Sequence, residues 1–111
     1  MSKSWKNEFN DSMGRIGEFA KQSPNALSGL TDISTPSDKP LLDPKTVELI
    51  ALAVAVTTRC DGCIAAHAKK AAKLGVTEAE ISEALNVAIS LNAGAAMMYS
   101  SRALEAVREF S

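Results

Sequence analysis

The sequence predicts an all-α protein, and three observations carry that prediction. Apolar residues recur at steps of three and four along most of the chain, the period of a helix face. No segment alternates apolar and polar residues for long enough to make a strand. Helix start and stop signals follow one another in a consistent order: Asp43-Pro44, then Gly75, then the segment TEAE over residues 77–80.

The first element is an amphipathic helix. Trp5, Phe9, Met13, Ile16 and Ala20 share its apolar stripe, Gly14 and Gly17 weaken it locally, and Pro24 ends it. A short helix from about Asn25 to Leu30 is expected next. The segment TDISTPSDKP, residues 31–40, is dense in Ser, Thr, Asp and Pro and reads as a loop. Composition changes across it. Residues 1–42 hold two alanines, Ala20 and Ala26, whereas residues 43–111 hold sixteen. The expected organisation is an N-terminal helical arm and linker over 1–42 and a core domain over 43–111.

Asp43 is placed to cap the first core helix, with Pro44 at its first position. That helix, VELIALAVAVTT, is apolar on nearly all sides, so a central, buried position is expected. A second helix begins around Cys60 and runs through IAAHAKKAAKL. Gly75 closes it in a left-handed conformation, and Lys69, Lys70 and Lys73 suit the negative end of its dipole. Thr77 and Glu80 form a capping box for a third helix that buries Ile81, Leu85, Ala88 and Leu91. Asn92 is expected to cap a separate last helix carrying Met97, Ser101, Leu104 and Val107. Alanine permits close helix approach but buries little area per residue. The helices are therefore expected to pack against other subunits too, through the aromatic N-terminal stripe and Met97-Met98-Tyr99. Intrachain packing is the equal alternative for both stripes.

Composition narrows the function classes. Hydrophobic residues make up 46% and charged residues 23% of the 111, ordinary for one globular domain. Net charge is −1, and no basic stripe stands out, so nucleic acid is not an expected partner. The N-terminus MSKSWKNEFN lacks the apolar run of a signal peptide. The longest apolar run, residues 49–56, is too short to span a bilayer. A cytoplasmic protein with no membrane partner is expected.

Both cysteines and the single histidine lie in RCDGCIAAH, residues 59–67. With Cys60 at or beside a helix N-cap, Cys63 falls in the first turn. His67 then lies one turn on, at i+4 from Cys63 on the same face. Free N–H groups at a helix start stabilise a thiolate, and an imidazole can take its proton. A second thiol in the same turn can attack the oxidised first one and close a disulfide. Glu48 is the lone carboxylate inside the apolar helix upstream. It is the candidate to orient His67, with a solvent-facing carboxylate as the alternative. Asp61 reads as a first-turn helix stabiliser. Thiol redox chemistry is the leading reading of the constellation. A metal site formed by Cys60, Cys63, His67 and Glu48 is one alternative, and an inert pair in a helical assembly protein is the other.

The segment ELIALAVAVTTRCDGCIAAHAKKAAKLGVTEAEISEAL, with DPKT ahead of it, resembles the core motif of alkylhydroperoxidase D-like (AhpD-like) proteins, within the carboxymuconolactone decarboxylase family. The likeness covers about residues 41–98. It implies an AhpD-like helical domain, a compact bundle assembled as a homo-oligomer, often a trimer or a hexamer. It implies an oxidoreductase that reduces hydroperoxides in antioxidant defence, or exchanges disulfides, through the cysteine pair, with no cofactor and no metal. By the same resemblance Cys63 attacks peroxide, Cys60 resolves, His67 is the base and Glu48 sets up a proton relay. Helix-start geometry by itself favours Cys60 as the more exposed nucleophile. The reductant in related systems is a lipoylated protein or another dithiol. Peroxidases of the family often carry a histidine between the cysteines, where this chain has Gly62, and they are longer. The decarboxylase branch typically lacks the cysteine pair, which disfavours lactone decarboxylation.

Overall fold

The computed structural model describes residues 4–111, and every regular element among them is a helix. In chain order these are α1 (Trp5–Gln22), α2 (Pro24–Ser34), α3 (Pro44–Thr57), α4 (Asp61–Lys73) and α5 (Glu78–Phe110). The centre of the fold is α3, which packs on both α4 and α5, while α1 packs on α4 and α2 folds back on α1.

The helix ends follow local chemistry. The Asp43 carboxylate accepts from the Thr46 amide at 2.9 Å and from its hydroxyl at 3.0 Å, with Pro44 in the first turn of α3. Thr77 and Glu80 form the expected reciprocal capping box of α5. Gly75 closes α4 at φ 76°. The Val76 amide bonds to the Ala71 carbonyl and the Gly75 amide to that of Ala72, the paired bonds of a Schellman turn. The same two-bond pattern ends α3, where Cys60 bonds to Ala55 and Arg59 to Val56. There the left-handed residue is Arg59, at φ 56°. No glycine marks this turn, so its type was not legible beforehand. It lets α4 begin at Asp61, directly after the turn, with Cys60 as its N-cap.

Several expectations are corrected. The loop expected over 31–40 begins only after Ser34, because α2 continues through the Thr31–Ser34 segment. There Thr31 and Ser34 hydroxyls bond back to carbonyls four residues earlier and stay compatible with helix. Asn92 caps nothing. Its side-chain amide donates to the Ala88 carbonyl at 2.7 Å within one continuous 33-residue helix. No proline interrupts this segment, so the backbone ladder runs through. On α1 the buried position is Ser12, 5% exposed, and its neighbour Met13 of the expected stripe faces outward. On α5 Ala88 is buried and Ile81 and Leu85 are half-buried, but Leu91 is exposed.

The core is small. Leu52, Ala55, Ala65, Ala71 and Ala88 are its buried apolar residues. The α3 helix is central without being enclosed, for Val47, Ile50, Val54 and Val56 are all exposed. Beyond Ala88, α5 buries nothing, and Met98 and Phe110 are 81% and 92% exposed. The radius of gyration is 18.1 Å, against about 13 Å for a close-packed domain of this length. No helix among the described residues is long and apolar enough to cross a membrane.

Candidate active site

The turn between α3 and α4 carries both sulfurs. Cys60 and Cys63 are joined by a disulfide, with their Cα atoms 5.2 Å apart. Cys60 is the N-cap of α4, and its sulfur accepts the Cys63 amide at 3.2 Å. A sulfur thus takes the place that a serine or aspartate oxygen holds in an ordinary cap. That amide is one of the unpaired donors of the helix start, so negative charge on Cys60 has a donor waiting for it. Cys60 is half-buried and Cys63 is exposed. This reverses the accessibility expected from helix-start geometry.

His67 follows Cys63 by one turn on the same face of α4. Its Nδ1 lies 2.7 Å from Oε1 of Glu48. The residue Glu48 is 7% exposed, one of two buried polar or charged residues among those described. The solvent-facing alternative for this carboxylate does not hold. A carboxylate accepts, so Nδ1 carries the hydrogen of this contact and Nε2 is left for other chemistry. Glu48 from α3 and His67 from α4 therefore meet midway along the two packed helices, while Cys60 and Cys63 lie at the turn that joins them, one helical turn from His67 along α4. The structure pairs Cys60 with Cys63 and Glu48 with His67.

A second polar cluster, not anticipated from the sequence, lies on α1. Ser12 donates to Glu8 at 2.6 Å, and Arg15 donates to Ser12 at 3.1 Å and to Glu8 at 3.2 Å. Ser12 rests against Gly62, one of the two residues between the cysteines. A Cβ on Gly62 would lie 2.8 Å from the Ser12 Oγ and 3.0 Å from its Cβ. The available signal was Gly62 itself: glycine in a first helical turn is unfavourable unless something approaches closely.

Among the described residues, no group of three or more His, Cys, Asp or Glu side chains is placed to hold a metal ion. With the two sulfurs bonded to each other, neither is a thiolate ligand.

An all-helical chain with a disulfide at a helix N-cap and a carboxylate–imidazole pair between the two helices that flank it defines a class of small helical proteins with a paired-cysteine site. The comparisons place it more closely. The profile of the Carboxymuconolactone decarboxylase family matches residues 24–106, and the chain belongs to that family. An uncharacterized protein of Haemophilus influenzae is 50% identical over 103 residues, covering 92% of this chain and 91% of its own. An uncharacterized protein of Cupriavidus necator is 31% identical over 97 residues, covering 87% and 84%. The crystal structure of an apo carboxymuconolactone decarboxylase family protein from Legionella pneumophila superposes with a TM-score of 0.72. It is 35% identical and covers 99% of both chains.

Proposed function

We propose that this chain is a thiol peroxidase that reduces hydroperoxides through Cys60 and Cys63. The single observation that supports this best is the Glu48–His67 contact at 2.7 Å, on the helix whose first turn holds both sulfurs. The contact fixes the imidazole and leaves Nε2 available one helical turn along from Cys63.

In the reduced protein, His67 takes the Cys63 proton through Nε2 while Glu48 holds Nδ1–H and offsets the imidazolium charge. The Cys63 thiolate attacks the outer oxygen of the hydroperoxide. The O–O bond breaks, the alkoxide leaves as alcohol with the proton from His67, and Cys63 becomes a sulfenic acid. Cys60 then attacks the Cys63 sulfur, a disulfide forms, and the hydroxide leaves as water with the Cys60 proton. The cycle takes two hydrogens from the protein and gives one alcohol and one water. A dithiol, free or on a lipoylated partner protein, returns the two hydrogens. It attacks the exposed Cys63 sulfur, and Cys60 departs as a thiolate received by the Cys63 amide. Run on a disulfide substrate instead of a peroxide, the same pair is a disulfide reductase.

The metal-binding reading lacks a ligand cluster among the described residues. The exposed apolar faces of α3 and of the second half of α5 suit a homo-oligomer, trimer or hexamer. The proposed division of labour keeps catalysis within residues 43–111, with residues 1–42 as the helical arm. Peroxide consumption with dithiothreitol as reductant tests the proposal. Wild type is expected to turn over and Cys63→Ser to be inert. A Cys63→Ser variant that consumes peroxide at the wild-type rate removes Cys63 from the mechanism.

A further inference from the structure

The N-terminal helix touches the redox motif at its midpoint. Ser12 is 5% exposed and occupies the space that any side chain at position 62 would need. Its hydroxyl cannot simply swing aside, since Glu8 accepts from it at 2.6 Å and Arg15 donates to it at 3.1 Å. Its Cβ, 3.0 Å from the Gly62 Cβ position, moves only if the α1 backbone moves. The Glu8–Ser12–Arg15 hydrogen bonds lie within α1 and hold the Ser12 side chain in place where α1 meets Gly62 of α4, in the turn between the cysteines. The open side of that turn is the one where Cys63 lies exposed, while Cys60 is half-buried.

We propose that α1 controls access to the cysteine pair, with Ser12 as the positioning residue and Gly62 as the seat it requires. Docked α1 covers the middle of the Cys60–Cys63 turn and steers incoming thiols to the Cys63 sulfur. A side chain at position 62 and a docked α1 exclude one another. This rests on the reading that the pair cycles between dithiol and disulfide, and it goes beyond that reading in assigning α1 a role at the site.

Trp5, the only tryptophan, reports on docking. It lines a groove of about 630 Å³ between α1 and α4, beside Phe9, Ala68 and Ala72. The test compares wild type, Gly62→Ala, Ser12→Gly and the double variant. Trp5 emission and the rate at which dithiothreitol opens the disulfide are measured for each. In that reaction dithiothreitol gives one hydrogen to each protein sulfur and closes its own disulfide ring. Gly62→Ala is expected to shift Trp5 emission to the red and to raise the reduction rate about tenfold, as overpacking a close contact loosens docking. Removing the opposing side chain in the double variant is expected to return both readings toward wild type. Should Gly62→Ala not fold, Ser12→Leu overpacks the same contact from α1 and is expected to give the same two changes. Wild-type emission and rate in the overpacked variants overturn the proposal. So does a double variant as perturbed as Gly62→Ala. Neither reading involves peroxide, so a protein inert toward hydroperoxide leaves this test standing on its own.

Discussion

Glu48→Gln is the most informative single change at the site. Glutamine keeps the size of the side chain and removes the charge. The wild-type contact is a 2.7 Å hydrogen bond between side chains 10% and 31% exposed, so solvent screens it only in part. A hydrogen bond involving a charged group contributes about 1.5–3 kcal/mol, and a neutral one about 1 kcal/mol. The variant is therefore expected to hold the His67 ring about 0.5–2 kcal/mol less firmly in the orientation that leaves Nε2 free. If that difference is felt fully at the reacting thiol, the rate falls about 2- to 30-fold. The assay is the rate at which reduced protein reacts with excess hydroperoxide at neutral pH, followed by loss of free thiol. Far-UV circular dichroism confirms that the helices persist. A rate within twofold of wild type in a folded variant refutes the argument that Glu48 acts through His67.

Other predictions concern the helix ends and the exposed faces. Asp43 and Glu80 are held below their ordinary values, each first by an amide hydrogen bond, from Thr46 and Thr77 respectively, and then by the hydroxyl of the same residue. A depressed folded-state value contributes stability above the unfolded value, and that contribution is lost as pH falls through the lower folded value. Wild-type thermal stability is thus expected to drop below about pH 4, and an Asp43→Asn, Glu80→Gln double variant to drop less steeply; equal slopes contradict this. Gly75→Ala meets no neighbour within 4 Å, so its expected loss of about 1 kcal/mol is a backbone effect at φ 76°. Arg59→Gly relieves the same strain at φ 56°, and denaturant unfolding is expected to show it up to about 1 kcal/mol more stable. Met98→Glu, on the exposed face of α5, is expected to shift the protein toward smaller species in light scattering after gel filtration, with unchanged mass counting against that face as an interface.

What the sequence made legible was local chemistry. Asp43-Pro44, Gly75 and Thr77–Glu80 each act over four residues or fewer, and each end lies where its side chains place it. Cys60 as N-cap, with Cys63 and His67 following on one helical face, was readable for the same reason. The misreadings come from competition between local signals and longer range. Asn92 has a capping side chain, but a carbonyl four residues back satisfied it inside an unbroken helix. Assigning Met13 rather than Ser12 to the buried face of α1 ignored a polar residue whose partners, Glu8 and Arg15, lie on its own helix. The apolar sequence of α3 suggested full burial, but the two helices packed on it, α4 and α5, do not enclose it. Glu48 reaching His67 lay between these cases: the residue was identifiable, and the contact depended on a turn built around Arg59 that no glycine announced.

The central claim is that the two sulfurs trade electrons with a hydroperoxide. The direct measurement is the intact mass of the reduced protein before and after one equivalent of hydroperoxide, for wild type, Cys60→Ser and Cys63→Ser. The expected results are a loss of two hydrogens in wild type that dithiothreitol restores, a gain of one oxygen in Cys60→Ser, and no change in Cys63→Ser. A wild-type mass unaltered by peroxide contradicts the account.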